Sequence, residues 1–237
     1  MPAKIWTVAV IIVLAITATS LAQSGGQFSR RATVLLGDGS VRATHGNVSV
    51  VAAWLDSDKS DAFPTALRVT TQGRTFEHSF DFGLNAELLW SPSGERFAIT
   101  GSEGGANGQY RSAVVTVTPN GLVWLDLTPA IERAFGHPVK CGYLETPNVA
   151  AITWLSDAQL VLAAQIINHS NCDSFDTFVA FEFNVGSGQV GKRHDQVDAK
   201  QRWSASMGPE LLAAPDECVR KPRACYVTTN HPELQLK

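Results

Sequence analysis

An all-β fold made of small antiparallel sheets is predicted by three features of the sequence. Apolar and polar residues alternate through many short segments, as in Phe97–Thr100, which is the pattern of half-buried strands. Turn residues separate these segments, and Asn120-Gly121 between two β-rich runs is the clearest hairpin signal. The clearest helix is short, near 129–135, where Pro129 suits the first turn and Gly136 suits the end.

Residues 1–22 have the pattern of a secretory signal peptide. Lys4 precedes an uncharged run from Ile5 to Ala22, which ends in the small residues of Ser20-Leu21-Ala22. The 18-residue run is also long enough to just span a bilayer, so an uncleaved membrane anchor is the alternative. No Cys follows the run, which argues against a lipid anchor there. We therefore predict an exported protein, secreted or periplasmic, that meets a membrane only through an uncleaved N-terminal segment.

The rest of the chain is predicted to be one domain. The Gly-rich stretch over 23–30 is polar and predicts a disordered spacer, and residues 31–237 form the single β domain. With 19 basic against 22 acidic residues and no basic run, the composition argues against binding to nucleic acid.

Four cysteines lie in the exported part of the chain, and an even count in an oxidising compartment predicts disulfides. They allow three pairings, of which we favour Cys218–Cys225, closing a short loop, together with Cys141–Cys172. The chain has no Cys-x-x-Cys pair and no His at ligand spacing to a Cys, so no metal site is predicted from them.

Taken in order, the chain predicts a succession of strands joined by turns. The segments Ala32–Leu36 and Val41–Thr44 predict a first hairpin around Gly37-Asp38-Gly39. The remaining predicted strands and helix are Val48–Leu55, Pro64–Thr71, Thr75–Phe80, Leu88–Trp90, Arg96–Thr100, Ser112–Thr118, Leu122–Leu127, Val149–Leu155, Leu160–Ile167, Thr177–Asn184, a Trp-bearing strand over Arg202–Ser206, a short helix over Pro209–Ala214, and a last strand over Ala224–Thr229.

Three segments share one plan: an apolar strand, a long polar loop, a β-rich strand, a Gly turn and a further strand. They run over Ser49–Phe80, Arg96–Leu127 and Leu160 to about Arg193, and Trp-bearing strand ends at Trp90 and Trp154 precede the last two. Units of this size with four short strands are typical of propeller blades. The chain has room for about four units, which predicts a small or incomplete β-propeller-like array of four-stranded antiparallel sheets.

The segment Trp90-Ser91-Pro92-Ser93-Gly94-Glu95-Arg96-Phe97-Ala98 closely resembles the repeat motif of TolB-like propellers, which are related in architecture to WD-type propellers. Trp154–Leu160 resembles a degraded copy, with Ala158 in place of the turn Gly. The resemblance implies an exported bacterial protein that provides a binding surface, and it supplies no catalytic residues. We expect the tryptophans in strands to pack between sheets; these are Trp54, Trp90, Trp124 and Trp154.

The long loops of the three units are rich in carboxylates, amides and Gly, and the repeat predicts that they project from one side. A shared polar face of this kind suits a protein, peptide or glycan ligand, or Ca²⁺, which prefers oxygen ligands. The alternative is that the loops are polar only because they are solvated. The candidate binding residues are Asp56, Asp58, Asp61, Glu103, Asn107, Asp173 and Asp176.

The sequence assigns no catalytic residue. It lacks the nucleophile elbow, the zinc-protease helix, the P-loop and the dinucleotide-binding glycines. The six histidines are scattered singly, which favours surface or turn positions. A binding or scaffold module is therefore the main hypothesis, and a structural envelope protein and a small glycosidase-like hydrolase are the alternatives. Carboxylates for the hydrolase would come from Asp38, Asp56, Glu103 and Asp173.

Overall fold

The structure, a computed structural model, describes residues 25–54, 65–80, 85–102, 109–136, 146–166 and 176–216. Within these ranges it is a mostly β protein, which confirms the predicted class. The strands are β1 (Thr33–Leu36), β2 (Arg42–His45), β3 (Val48–Trp54), β4 (Thr65–Thr71), β5 (Arg74–Phe80), β6 (Asn85–Trp90), β7 (Arg96–Ser102), β8 (Tyr110–Thr118), β9 (Gly121–Asp126), β10 (Asn148–Ser156), β11 (Gln159–Gln165), β12 (Phe178–Asn184) and β13 (Gln189–His194). The helices are α1 (Thr128–Phe135), α2 (Gln196–Trp203) and α3 (Pro209–Ala213).

The strands form three antiparallel sheets that follow the predicted repeat. Sheet I has the order β2-β3-β4-β5, sheet II the order β1-β6-β7-β8-β9, and sheet III the order β10-β11-β12-β13. Each sheet thus contains four strands that are consecutive in the chain, and sheet II gains β1 as a fifth. The three predicted units correspond to the last three strands of each sheet, and the Trp-bearing strand ends are those of β6 and β10.

The three sheets stack face to face, with sheet II in the middle. Successive residues of its strands point alternately toward sheet I and toward sheet III. In β7, Phe97 and Ile99 lie in the apolar core between sheets I and II. Ala98, between them in sequence, lies in the core between sheets II and III. A third core, on the far face of sheet III, is covered by α2 and α3 through Ala199 and Leu211.

The stack is open at the sheet I end. The outer face of sheet I carries polar pairs in place of a further apolar core, including an exposed ion pair between Arg68 and Glu77 at 2.7 Å and contacting hydroxyls of Thr70 and Thr75. At the other end, helices cover sheet III. In the described part of the chain, the two end sheets therefore do not close on each other into a ring.

Helix α1 occurs where the sequence predicts it and packs its apolar side on sheets II and III. Ile131 is fully buried in the core between those sheets, and Phe135 is partly buried against it. Gly136 ends the helix in a left-handed conformation with a φ of 80°. Its N–H donates a hydrogen bond to the Glu132 carbonyl. The side chain of Thr128 makes no N-cap hydrogen bond. Its hydroxyl accepts instead from the Ser112 N–H at 3.0 Å, which ties α1 to β8.

Two predicted elements differ from the structure. β1 and β2 are not a hairpin, because β1 pairs with β6 while β2 pairs with β3. The Gly37-Asp38-Gly39 turn is therefore a crossing between sheets II and I. The predicted strand over Arg202–Ser206 is wrong, because α2 extends through Trp203. The Asp195 carboxylate accepts from the Asp198 N–H at 2.8 Å and caps this helix, which favours it over a strand.

Residues 25–30 are packed into the domain, which differs from the predicted disordered spacer. Phe28 is fully buried in the core beneath α2 and α3. Its carbonyl accepts from the Gly208 N–H at 2.7 Å, and the Ser29 hydroxyl donates to the Ile152 carbonyl at 2.8 Å. We call residues 25–31 the N-terminal strap, because they fasten the helical cap to sheet III.

A nearly buried histidine fastens α2 to sheet III. His194 ends β13, and its Nε2 lies 2.9 Å from the Glu182 carboxylate while its Nδ1 lies 2.5 Å from that of Asp198. One carboxylate thus lies at each ring nitrogen, which places the imidazole between β12 and α2. The hydrogen bond to His194 holds the pKa of Asp198 below its usual value. His194 is thus a structural link, in contrast with the surface position expected for the histidines.

No helix in the described ranges is long and apolar enough to cross a membrane. The predicted signal at 1–22, the four cysteines with their predicted disulfides, and the predicted strand Ala224–Thr229 lie outside the described residues.

Candidate functional site

The stack has two contrasting edges. At the edge that we call the turn edge, short turns close the hairpins of sheets I and II, and the turns around Gly46, Gln72, Gly94 and Pro119 line one shared cleft. At the opposite edge, which we call the loop edge, lie the strand ends that flank the three predicted acidic loops. The paired ends are Trp54 with Thr65, Ser102 with Tyr110, and Gln165 with Phe178.

Sheets II and III meet directly at the loop edge. The Tyr110 N–H, at the start of β8, donates to the Asn148 side chain at the start of β10, with a distance of 3.0 Å. Because Asn148 pairs with Gln165 in sheet III, the ends of β8 and β11 are neighbours. The strand ends flanking the second and third predicted loops therefore lie side by side.

Most of the predicted binding residues lie outside the described part of the chain: Asp56, Asp58, Asp61, Glu103, Asn107 and Asp173. Asp176 and the hydrolase candidate Asp38 lie within it. Asp38 is exposed in the crossing from β1 to β2, and hydrogen bonds from Ser40 hold its pKa below the usual value. Because its carboxylate is exposed and its pKa is low, Asp38 is better suited to stabilising a turn than to acting as a general acid.

Asp176 lies in a half-buried polar cluster immediately before β12. Its backbone has a φ of 63°, and its N–H donates to the Ile166 carbonyl at 3.0 Å, so the carboxylate is held by a left-handed turn. Burial first and the neighbouring negative charge of Glu210 second raise its pKa to about 6. Asp176 therefore shares a partly desolvated place with the carboxyl group of Glu210.

The Gln165 side chain joins these two carboxylates. It is 1% exposed, and its Nε2 donates to Asp176 Oδ1 at 3.2 Å and to Glu210 Oε1 at 3.4 Å. Its Oε1 is buried without a hydrogen-bond partner. Buried polar atoms normally have partners, so this amide, with its nitrogen bound to two carboxylates and its oxygen unpaired, is an unusual feature of the loop edge.

Glu87 of β6 is a third carboxylate near this edge, and it holds the N-terminal strap. It is 8% exposed and accepts from the Phe28 N–H at 3.0 Å and the Ser29 N–H at 3.1 Å. Burial raises its pKa to about 6 against the lowering effect of these backbone donors. Gly26 is needed here, because a Cβ at that position would overlap the Glu87 carboxyl group. The role of Glu87 is therefore structural.

Tyr110 connects the two parts of the site. Its ring packs edge-on against Phe28 with centroids 4.8 Å apart, and its hydroxyl donates to Gln27 Oε1 at 3.3 Å. Burial first, and then the negative charges of Glu87 and Glu210, raise its pKa. We call Glu87, Tyr110, Gln165, Asp176 and Glu210 the carboxylate cluster.

Sequence reasoning identified only Asp176 of this cluster. Glu87 and Gln165 carried a usable signal, because each is a polar residue inside an otherwise apolar strand, in Ala86–Leu89 and Leu160–Ile166. A buried polar residue in such a run needs partners, which marks it for inspection. Glu210 had no such signal, since α3 brings it to the cluster from a distant part of the chain.

The turn edge is occupied by packing contacts of the motif Trp90–Ala98. Trp90 packs edge-on against Phe97, with centroids 5.3 Å apart, and contacts His45 of sheet I. A Cβ at Gly94, where φ is 74°, would overlap the His45 ring, so the motif Gly makes room for sheet I. The motif thus joins sheets II and I.

The same turn joins sheet II to sheet III. The Ser93 N–H donates to Asp157 Oδ1 at 2.8 Å, and Arg96 Nη1 donates to the Asp157 carbonyl at 2.7 Å. Trp154 is buried between these sheets and donates from Nε1 to the Leu89 carbonyl at 3.0 Å. The expected packing between sheets is confirmed for Trp90, Trp154 and also Trp124, which stacks on His78 of sheet I. The side chain of Trp54 is outside the described part.

The cleft at the turn edge has a volume of about 250 Å³. Its titratable lining side chains are His45 and Glu95, and the rest of its lining is turn backbone and small or neutral residues. It is smaller than most small-molecule pockets, and it lacks a convergent set of charged groups. The loop edge therefore offers more groups for ligand binding or catalysis than the turn edge does.

Comparisons with known proteins assign no family to the chain. No protein-family model matches the chain, and no curated protein matches it in sequence. It is similar in structure to the Pyrococcus horikoshii acylaminoacyl peptidase (orthorhombic crystal form), with a TM-score of 0.42 and 9% sequence identity. The match covers 69% of this chain and 25% of that chain, so this chain spans about a quarter of that protein's length. A likeness at this TM-score carries no functional argument.

Proposed function

We propose that the chain is an exported binding or scaffold module, built on TolB-like repeats, and that its loop edge receives the ligand. One observation carries this proposal: half-buried carboxylates and an orphaned amide oxygen lie at the edge flanked by the predicted acidic loops, while structural contacts occupy the turn edge. Asp176 and Glu210 are not neutralised by a hydrogen-bonded cation in the cluster described above, since their bridging donor is an uncharged amide.

The acidic character of this edge favours a protein or peptide ligand with basic side chains. Carboxylates that repel one another are stabilised by an incoming ammonium or guanidinium group. Immobilised chain should therefore retain Lys- and Arg-containing peptides from a peptide array more strongly than matched neutral peptides. Glu210→Gln should weaken this retention, and Glu95→Gln, at the turn edge, should not. Retention only on a glycan array would replace the peptide by a sugar, and no retention on either would overturn the proposal.

Export is tested separately. The predicted signal gives a mature chain beginning at Gln23, and the four cysteines are expected to be paired. Fractionation of a bacterial host with intact mass analysis should find the shortened chain outside the cytoplasm, with its cysteines blocked to alkylation until reduction. Full-length chain in the membrane fraction would instead favour the uncleaved anchor.

A glycosidase-like hydrolase is the second candidate, and the raised pKa of Asp176 favours it. A carboxyl group with a pKa of about 6 can serve as a general acid near neutral pH. Glycoside and ester substrates should then be cleaved by the wild-type chain and by Glu95→Gln, and not by Asp176→Asn. Equal release of product by all three proteins, or by none, would remove this candidate.

A further inference from the structure

The N-terminal strap is held by contacts that can separate without breaking a sheet. Among the described residues, it pairs with the domain through an isolated bridge between Ser29 and Met207 and takes part in none of the three sheet ladders. Its large buried side chain is Phe28, which lies in the core beneath α2 and α3. Segments with few backbone contacts open at a lower free energy than central strands do. The strap can therefore detach from a domain that stays folded.

Glu87 holds one side of the strap. Its carboxyl group accepts from the N–H groups of Phe28 and Ser29, and it is nearly buried by this contact. Burial outweighs these donors and raises the pKa of Glu87 from 4.5 to about 6. Opening of the strap brings water to the carboxyl group, so its pKa returns toward the usual value. The closed strap thus binds a proton more tightly than the open strap.

The groups around Glu87 do not supply a competing charge. The residues paired with it in β1 and β7 are uncharged. From β8, Tyr110 is an ionisable neighbour, and the negative charges of Glu87 and of Glu210 in α3 both raise its pKa. The charged side chains of the strap itself, Arg30 and Arg31, are exposed. Burial by the strap is therefore the largest influence on the Glu87 proton.

The other side of the strap holds the start of α3. The Gln27 carbonyl accepts from the Glu210 N–H at 3.0 Å, and the Phe28 carbonyl accepts from the Gly208 N–H at 2.7 Å. A Cβ at Gly208 would overlap the Gln27 carbonyl, so the strap lies directly against this turn. Because α3 has only five residues, these two bonds fix much of its first turn. The strap that Glu87 holds therefore also keeps Glu210 in the carboxylate cluster.

We propose that the N-terminal strap is a latch, which Glu87 holds closed in acid and releases as the pH rises, and whose opening frees Glu210 from its place at the loop edge. The closed form has its full advantage below the pKa of the open form and loses it as the pH rises through the pKa of the closed form. A rise from 4.5 to about 6 corresponds to about a thirtyfold change in the opening equilibrium. The inference goes beyond the proposed function, because it concerns when the loop edge is assembled and not what it binds.

The direct test is amide hydrogen exchange of the full chain by NMR between pH 4.5 and pH 7.5, with rates corrected for intrinsic exchange. Protection should fall together, by up to about thirtyfold, at four amides of the latch; these are Phe28, Ser29, Gly208 and Glu210. Amides in the centre of β11 should stay better protected at every pH, because they exchange only when sheet III opens.

Variants separate the latch from general stability. Glu87→Gln removes the titrating group and should abolish the dependence on pH, whereas Glu95→Gln, at an exposed turn, should keep it. Gly26→Ala places a Cβ on the Glu87 carboxyl group and should lower protection of the four amides about tenfold or more at pH 4.5. Gly186→Ala is the matched control, since its Cβ would meet only Asn184 Oδ1 at 3.4 Å. The Gly26 variant keeps the test decisive if Glu87→Gln folds poorly by circular dichroism.

Three results would overturn the latch. The first is protection of the four amides that does not change with pH, or that changes equally in Glu87→Gln. The second is a change confined to Phe28 and Ser29, because the strap would then open without releasing α3. The third is protection equal to that of β11, which would mean that the strap opens only on global unfolding. The measurement needs no ligand, so its outcome is independent of peptide retention.

Discussion

Glu87 shows how a single buried carboxylate links the start of the chain to its middle. The carboxyl group is nearly buried and holds two consecutive backbone N–H groups of the N-terminal strap. Burial disfavours its charged form, and the backbone donors only partly compensate. A raised carboxyl pKa favours the folded state below the unfolded pKa, and this advantage disappears as the pH rises through the folded pKa.

The raised pKa of Glu87 gives the first prediction, which concerns how stability depends on pH. Raising the pKa of Glu87 from 4.5 to about 6 corresponds to about 2 kcal/mol of pH-dependent stability. The free energy of unfolding of the wild-type chain, relative to Glu87→Gln, should fall by up to about 2 kcal/mol between pH 4 and pH 7. Urea unfolding followed by tryptophan fluorescence measures it. Glu95→Gln, at an exposed turn, is the control, and a difference independent of pH would contradict the account.

Two tryptophans at equivalent places in the repeat give a second prediction. Trp154 Nε1 donates to a carbonyl across the sheet interface, whereas Trp90 Nε1 is buried without a partner. Trp154→Phe therefore removes a hydrogen bond, and Trp90→Phe removes an unpaired donor. Trp154→Phe should be the more destabilising of the two by about 1 kcal/mol. Thermal or urea unfolding checks this, and a larger loss in Trp90→Phe would refute it.

At the scale of elements, the N-terminal strap shows where local sequence signals failed. Its Gly and Gln residues predicted disorder, but Phe28 reaches a core formed by sheet III and the two C-terminal helices. The composition of a short segment gives no information about contacts with residues more than a hundred positions away in the chain. The same reason explains the false hairpin, because β1 pairs with β6 and not with its neighbour in sequence.

The strap supplies the third prediction. Phe28→Ala should lower the free energy of unfolding by about 3–5 kcal/mol, as expected for a fully buried aromatic residue. Gln27→Ala, at an exposed neighbouring position, should change it by less than about 1 kcal/mol. Chemical unfolding of both variants distinguishes a packed strap from a spacer. Equal and small effects would show that residues 25–30 do not hold the fold.

Elements with strong local signals were predicted well. Asn120-Gly121 marked the turn between β8 and β9, and Pro129 and Gly136 marked α1. The repeat gave the strand grouping within each sheet, because each unit closes on itself through hairpins. The carboxylate cluster was not predicted as a group, because it is assembled from β6, β8, β11, the turn before β12 and α3.

At the scale of the whole molecule, the three sheets form an open stack with one end faced by polar residues. In the described residues, the polar outer face of sheet I has the character of a capping face in a repeat array. Helices α2 and α3 serve as the cap at the other end. The turn edge joins the sheets to one another, and the loop edge is where we propose that a ligand binds.

The open end gives the fourth prediction. Arg68 and Glu77 form an exposed ion pair on the outer face of sheet I. A double-mutant cycle with Arg68→Ala and Glu77→Ala should give a coupling energy of at most about 1 kcal/mol, decreasing with salt. A substantially larger coupling that ignores salt would mean that another element or a second molecule covers this face.

The central claim is that ligands reach this protein at the loop edge. Hydrogen–deuterium exchange of the full chain, with and without a saturating concentration of the Lys- and Arg-containing peptide that it retains most strongly, tests it most directly. The account predicts slower exchange at the Ile166 and Asp176 amides, whose hydrogen bonds lie beside the Asp176 carboxylate. Exchange at Ser93 and Gly94, on the turn edge, should stay unchanged. Protection confined to the turn edge, or no protection anywhere, would contradict the account.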